Sequence, residues 1–272
     1  MLLSLQIPIR YYYTTELCSL SPGKWCTIAV IRSHARCTTG AVTKAIFTMP
    51  MPQLIETIAQ VGPILAPQHI AALQQRRHDA VVPLRQLVAQ RIPPHDEAAA
   101  YARGHALIFL SSWGDSDTLL ILLDVLRRHD DDLALIYELI DATVPAYGTQ
   151  VVPLFAELLN DIHAPRDSRI CACGLLSLMG HLHPLMARHI SKILRDALPV
   201  PHTTTALDSE LASWIVMALA ELRSKSASPQ VKQLYKAGVL DPSICGRPDE
   251  FVRALDDHIA PVVFRDPITL YQ

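Results

Sequence analysis

The residues of this chain that could do chemistry are few. They are a Cys-Ala-Cys triplet at Cys171 and Cys173, a histidine group at His181, His183 and His189, and a cysteine inside the string LYKAGVLDPSICG, Cys245. Two thiolates could hold a soft metal or exchange with a disulfide. Two residues apart on a helix they do not face the same way, and without a second pair they fall short of a zinc set. The expectation is small, buried, apolar side chains in a tight helix contact. The stretch HLHP lies at a helix break, where imidazoles could converge on a metal. Residues 180–192 hold no carboxylate, so an acid ligand would have to come from Asp161 or Asp167, and there is no HExxH pattern. Solvated or capping histidines are the expectation, with no metal and no other cofactor. Cys245 has no histidine near it in sequence to activate the thiol. Its string reads as a helix stop at Gly238, a turn at Asp241-Pro242 opening a short helical segment that ends at Cys245 and Gly246, and a new start at Pro248-Asp249-Glu250.

Other patterns carry less. Asp130, Asp131 and Asp132 resemble calcium ligands but lack the twelve-residue loop spacing and its glycine, so they are expected to cap the next helix and face solvent. Glycines 104, 114, 148, 174, 180, 238 and 246 are isolated, and no GxSxG elbow or phosphate-binding loop is present. Arg76, Arg77, Arg85 and Arg91 form a basic stripe with His69, His78 and His95 beside it. That stripe could meet an acidic partner or a phosphate, or form an ordinary solvated face.

The elements that must position these residues read as helices. Half of the 272 residues are hydrophobic, but only 6% are aromatic, and Leu, Ala, Ile and Val dominate. That composition favours helix on helix packing over a sheet sandwich. From Met51 onward apolar residues recur at three and four residue spacings. Short units at Leu54–Ala59, Gln68–Gln75 and Val81–Gln90 lead into Glu97–Leu110, a Leu-rich helix ending at Arg127 and Arg128, and Leu133–Ile140. Further units follow at Gly148–Leu159, Ile170–Met179, Leu185–Leu198 and Leu207–Leu222, then helices starting at Pro229 and at Phe251. Small residues Ala172, Cys173 and Gly174 are expected to let a neighbouring helix approach closely.

The segments TQVVPLFAELLNDIHAPRDSRICACGLLSLMGHL and LMARHISKILRDALPVPHTTTALDSELASWIVMALAEL share one plan. Each has a helix, a polar break with proline, an acidic cap region, and a more apolar helix. A unit of about forty residues built this way cannot bury its apolar faces alone, and stacking supplies the core. The predicted fold is all-α, an α-α superhelix of HEAT- or armadillo-like repeats. The segments YARGHALIFLSSWGDSDTLLILLDVLR, SRICACGLLSLMGHL and VKQLYKAGVLDPSICGRPDEFVRAL resemble a bacterial HEAT-like family of unknown function, over about residues 52–257. The resemblance implies a helical repeat domain and brings no catalytic residues. Some members carry a cysteine-rich zinc-binding tail, whereas this chain continues as HIAPVVFRDPITLYQ without cysteines, so neither that module nor its metal is carried over.

Residues 1–50 differ from the rest. They hold five bases against the single acid Glu16, three of the six cysteines, and the run Tyr11-Tyr12-Tyr13. They are expected to be a disordered extension or sequence upstream of the true start at Met49 or Met51. Residues 51–260 then form one helical domain and residues 261–272 a C-terminal tail. Net charge of -2 argues against nucleic acid, the absence of a run of eighteen apolar residues argues against a membrane span, and cysteine usage points to a reducing, cytoplasmic setting. The leading expectation is therefore a non-catalytic protein interaction or scaffold module with another protein as partner. Its binding face would draw on large side chains such as Tyr137, Tyr147, Phe155 and Trp214, each of which could equally be core. The alternative is a small-molecule-binding protein or lyase-like enzyme with a pocket in the helical stack.

Overall fold

The computed structural model describes residues 45–129, 131–200, 206–256 and 262–271. Expectations for residues 1–50, including Cys18, Cys26 and Cys37, fall almost wholly outside the described residues, as does most of the linker at 199–205. The chain divides into two compact units, Met1–Phe47 and Thr48–Gln272, and the second carries the helices discussed below.

Every regular element among the described residues is helical. The first group is α1 (Met51–Gln60), α2 (Pro67–Gln75), α3 (Arg77–Ala89), α4 (Glu97–Ser112) and α5 (Ser116–Leu126). The second is α6 (Ala134–Thr143), α7 (Val151–Asn160), α8 (Arg166–Leu182) and α9 (Ala187–Asp196). The last is α10 (Ala206–Glu221), α11 (Ser228–Lys236), α12 (Pro242–Cys245) and α13 (Pro248–Ala254). Proline is the first residue of α2, α12 and α13, where its missing N–H would have had no partner and its fixed φ suits the helix. The helix expected from Gly148 starts later, at Val151. Gly148 sits at φ 68°, ψ -156° inside a 3-10 turn, Val144–Gln150, a backbone position that only glycine adopts without strain. The last helix ends at Ala254, with residues 257–261 outside the described set.

The helices alternate between two packing series. In one, α4 packs on α6, α6 on α8 and α8 on α10; in the other, α3 packs on α5, α5 on α7 and α7 on α9. The series join through α3 on α4, α7 on α8 and α9 on α10. Two glycines set the approach within the first series. A Cβ on Gly104 would lie 3.0 Å from both Leu135 and Leu139 of α6, and one on Gly180 would lie 2.5 Å from Leu222. Gly174, expected to play that part, would meet nothing within 4 Å. Leu222 thus needs the missing Cβ of Gly180, at the C-terminal end of α8.

Helix α4 is buried without interruption from Ala102 to Ser111. Helices α1, α3 and α6 and the C-terminal 3-10 turn Pro267–Tyr271 all pack on it. It carries Arg103, the one buried arginine among the described residues, whose side chain is 1% exposed and pairs at 3.0 Å with the fully buried carboxylate of Asp131. A second guanidinium nitrogen donates to Asp132 O at 3.4 Å, and Gln90 O also accepts from Arg103. Asp131 accepts in turn from Ile92 N at 2.9 Å, and Asp132 N donates to Ile92 O at 3.0 Å. Arg128 completes the knot by donating to Ala89 O at 2.8 Å while lying 3.6 Å from Asp131. The expectation that the aspartate run faces solvent is corrected here. Asp132 does cap α6 through Ala134 N, at 3.2 Å, but Asp131 turns inward because Arg103 and a loop N–H need its charge.

Three helices stop in the same manner. After α4, Asp115 N donates to Leu110 O with Gly114 at φ 69°; after α11, Val239 N donates to Leu234 O with Gly238 at φ 67°. After α10, Ser224 N donates to Leu219 O in the same pattern, but the left-handed residue is Arg223, at φ 52°. A side chain there costs about 1 kcal/mol relative to glycine. Arg223→Gly is expected to stabilise the protein by up to about 1 kcal/mol in urea unfolding, since relief of the left-handed strain outweighs the freedom that glycine adds to the unfolded chain. Asp131→Ala is expected to destabilise it by about 3–5 kcal/mol, because it leaves the Arg103 charge buried and unpaired. The pair Arg103→Met with Asp131→Leu should recover much of that loss but not all, since Ile92 N–H still lacks its acceptor; a double variant no better than Asp131→Ala would show that the charge is not the cause.

Candidate functional site

The series α6, α8, α10 leaves one side partly open, and acids collect there. Glu138 and Asp141, one turn apart on α6, are both exposed. On α10 the partly exposed residues include Glu210, Trp214, Met217 and Glu221. Their spacing of four, three and four puts them on one face of the helix. Ser177 of α8 is fully buried and donates to Glu221 Oε2 at 2.8 Å. Burial pushes the Glu221 carboxyl up to about 7; the Ser177 bond works against this, and the charge of Asp141 adds to it. Partial desolvation raises Glu138 as well, although much of its side chain stays in water. The phenol of Tyr101, on α4, is raised by burial and then by Glu97 and Glu138. Glu97, Glu138, Asp141 and Glu221 therefore act as one acidic track crossing α4, α6 and α10. Glu210 is engaged by Arg166 at 2.9 Å, a bond that ties α8 to α10.

The track offers charge rather than a reaction. Cys171 and Cys173, expected to be packing residues, are both buried, and burial drives both thiols well above their ordinary range, with Asp141 adding to the effect on Cys171 and Glu221 on Cys173. A thiol held protonated is neither a nucleophile nor a ligand. The histidines are not brought together. His181 is in the last turn of α8, where burial lowers its basicity and the charge of Arg223 adds to the effect; His183 follows the helix, and His189 is exposed on α9. Among the described residues no group of three or more His, Cys, Asp or Glu is placed to hold a metal ion.

The basic stripe is engaged within the chain. Arg76 donates to Met49 O. Arg77 donates to Trp113 O at 2.8 Å and lies over the Trp113 ring at 5.7 Å. Arg85 binds Asp115, with a 2.7 Å bond from Nε, and reaches Asp117 at 2.9 Å, which fastens α3 to the start of α5. These three side chains have their carboxylates and carbonyls already. Of the expected large side chains, Phe155 and Tyr147 are core, the latter taking a 3.3 Å bond from Ser111 and pushed by burial up to about 12. Tyr137 is half-buried, bonded to Ser168 at 2.9 Å and likewise raised to about 12. Trp214 remains partly exposed, beside Met217 on the track.

Around Cys245 the local reading holds in detail. Asp241 Oδ1 accepts from Ser243 N at 2.8 Å, Gly246 takes φ 73°, and Glu250 Oε2 accepts from Arg247 N at 2.8 Å. The Cys245 thiol is raised by burial, with the hydrogen bonds from Tyr235 and Ser213 only partly opposing it. Sequence reasoning missed the acidic track as a unit. Its signal was available in the helical spacing of Glu138 with Asp141 and of Glu210 with Trp214, Met217 and Glu221. What spacing could not give was that α6 and α10 bring their acids to one side.

No single helix among the described residues is long and apolar enough to cross a membrane. Comparison of the chain with family models, curated proteins and solved structures finds no match in any of the three.

Because the folded carboxyl of Glu221 titrates near 7 and an unfolded one near its ordinary 4.5, its contribution to stability is fully present below pH 4.5 and is lost as pH rises through 7. Glu221→Gln, which keeps the acceptor for Ser177, is expected to stabilise the protein at pH 8 by on the order of 2 kcal/mol. The gain should shrink to nothing by about pH 4.5 when thermal unfolding is followed across that range. A gain that does not vary with pH would rule out the titration of this carboxyl as its origin.

Proposed function

We propose that Thr48–Gln272 is a HEAT- or armadillo-like α-solenoid, akin to the bacterial HEAT-like family that its segments resemble, and that it serves in the cytoplasm as a non-catalytic interaction or scaffold module for another protein. The repeat reading is supported by the reach of its side-chain bonds. Arg85 to Asp115, Arg127 to Glu157, Tyr137 to Ser168, Ser111 to Tyr147 and Ser177 to Glu221 span 30, 30, 31, 36 and 44 residues. Each joins one helical unit to the next, as nearest-neighbour coupling in a stack requires.

The interaction reading rests on the acidic track. Partly desolvated carboxylates such as Glu138 and Glu221, the latter also opposed by the charge of Asp141, are relieved by an approaching cation, and Trp214 and Met217 add apolar surface beside them. The partner that fits is a protein presenting lysines or arginines. The alternative of a ligand pocket or lyase-like site would need polar groups converging on bound substrate. Here the buried polar groups of the Arg103 knot are engaged with each other, and the buried thiols are held protonated.

Affinity capture from cells, comparing the wild-type chain with Glu138→Lys plus Asp141→Lys, tests the reading. Both residues are exposed, so the fold should survive. A partner retained by the wild type and by a Lys192→Glu control on α9, but lost at least tenfold in the double variant, is the expected result. Equal capture by all three chains would refute the track as a binding face.

A further inference from the structure

Part of the cover over α4 arrives from the far end of the chain. The turn Pro267–Tyr271 packs on α4, and the Tyr271 hydroxyl lies 2.7 Å from His105 Nδ1. The other ring nitrogen, Nε2, lies 2.9 Å from Gly62 O. A carbonyl only accepts, so Nε2 carries the proton, Nδ1 is the acceptor, and the tyrosine hydroxyl donates to it. The Tyr271 ring stacks on Phe109 with centroids 5.7 Å apart and sits tilted at 5.7 Å from His105. Pro267 is buried at the other end of the turn.

This contact differs in kind from those between neighbouring units. It spans 166 residues, whereas the side-chain bonds between units cited above span 30 to 44. The segment also organises itself without help from α4. Asp266 Oδ1 accepts from Ile268 N at 3.0 Å, and Asp266 O accepts from Thr269 N at 2.9 Å. Val263 is 79% exposed and Leu270 40% exposed. One short turn with a buried anchor, Pro267, and a half-buried one, Tyr271, is thus seated on a surface built wholly by other elements. Such an element can open without disturbing the core beneath it.

We propose that the surface formed by His105 and Phe109 of α4 with Gly62 of the loop after α1 is a recognition site for a short segment with a proline followed four residues later by a tyrosine, and that the chain's own Pro267–Tyr271 occupies it as a releasable latch. The proline sets the turn, the phenol ring fills the aromatic floor, and its hydroxyl must donate to a neutral imidazole. That last requirement gives the site its selectivity: phenylalanine leaves Nδ1 without a donor, and a phosphorylated tyrosine brings charge and no donor into a dry site. Tethering keeps the latch at a high effective concentration, so a segment from another chain enters only when the latch is weakened or outcompeted. The inference is independent of the acidic track, and neither depends on the other's success.

The test uses full-length protein and a fluorescent peptide of residues 265–272, read by anisotropy. Tyr271→Ala should bind the peptide saturably, and the wild type at least tenfold more weakly, because its own tail competes. Binding to Tyr271→Ala should fall at least tenfold with a phosphotyrosine peptide, and likewise when His105→Phe is added. No saturable binding to Tyr271→Ala, or equal binding to both chains, would overturn the proposal. If Tyr271→Ala does not fold, amide exchange in the wild type decides. Ile268 and Thr269 exchanging at least tenfold faster than the α8 core supports a latch, and exchange at the α8 rate shows instead that the tail belongs to the core.

Discussion

The buried pair of Arg103 and Asp131 is the constraint on which the packing of α3, α4 and α6 depends. A guanidinium out of water is tolerable only if its donors are met, and here they reach Asp131, Asp132 O and Gln90 O, leaving Nε alone without a partner. Meeting them draws together the end of α3, the middle of α4 and the loop before α6. An apolar contact of equal volume would tolerate a slip of α4; this one tolerates none, since every acceptor is a specific carbonyl or carboxylate.

Fixing α4 settles more than its own place. Three consecutive residues point to three different partners, as successive positions about 100° apart on a helix must. Arg103 enters the knot, Gly104 takes the leucines of α6 against its backbone, and His105 receives the tail. One helix therefore registers the loop beside it, the next helix of its series and the far end of the chain. A rotation of α4 that improved one of these contacts would spoil the other two, which is why ten of its residues in succession are buried.

Local signals made the helices and their ends legible in sequence. Gly114 and Gly238 stop α4 and α11 with the left-handed turn that their residue type predicts, and Asp241-Pro242 opens α12 as read. Each of these signals acts within about five residues. The features that escaped act over longer reach. Asp132 and Asp131 look alike in the sequence, yet one caps a helix two residues away and the other meets an arginine 28 residues before it. The arginine stripe looked free because its acceptors, Met49 O, Trp113 O and Asp115, belong to other units. Of Ala172, Cys173 and Gly174, expected to allow close approach, the glycine meets no neighbour while Gly180 does, since which glycine faces a neighbour depends on the rotation of α8 and not on the glycine.

The same contact explains how a carboxyl with a raised pKa is held at the edge of the fold. Ser177 and Gly180 lie one turn apart on α8, and Glu221 and Leu222 are adjacent at the end of α10. Leu222 drops against Gly180 while Ser177 takes Glu221, so the two helices lock by one apolar and one polar contact side by side. Neither Glu221 nor Leu222 can swing outward without losing its neighbour's seat. Glu221 is therefore kept where water solvates it poorly and where Asp141 opposes its charge, at a cost in stability that packing elsewhere offsets. In such a position much of the carboxylate's desolvation has already taken place on folding. A basic side chain arriving there loses its own hydration but need not strip that of its partner, which makes the pairing more favourable than one between two fully solvated ions.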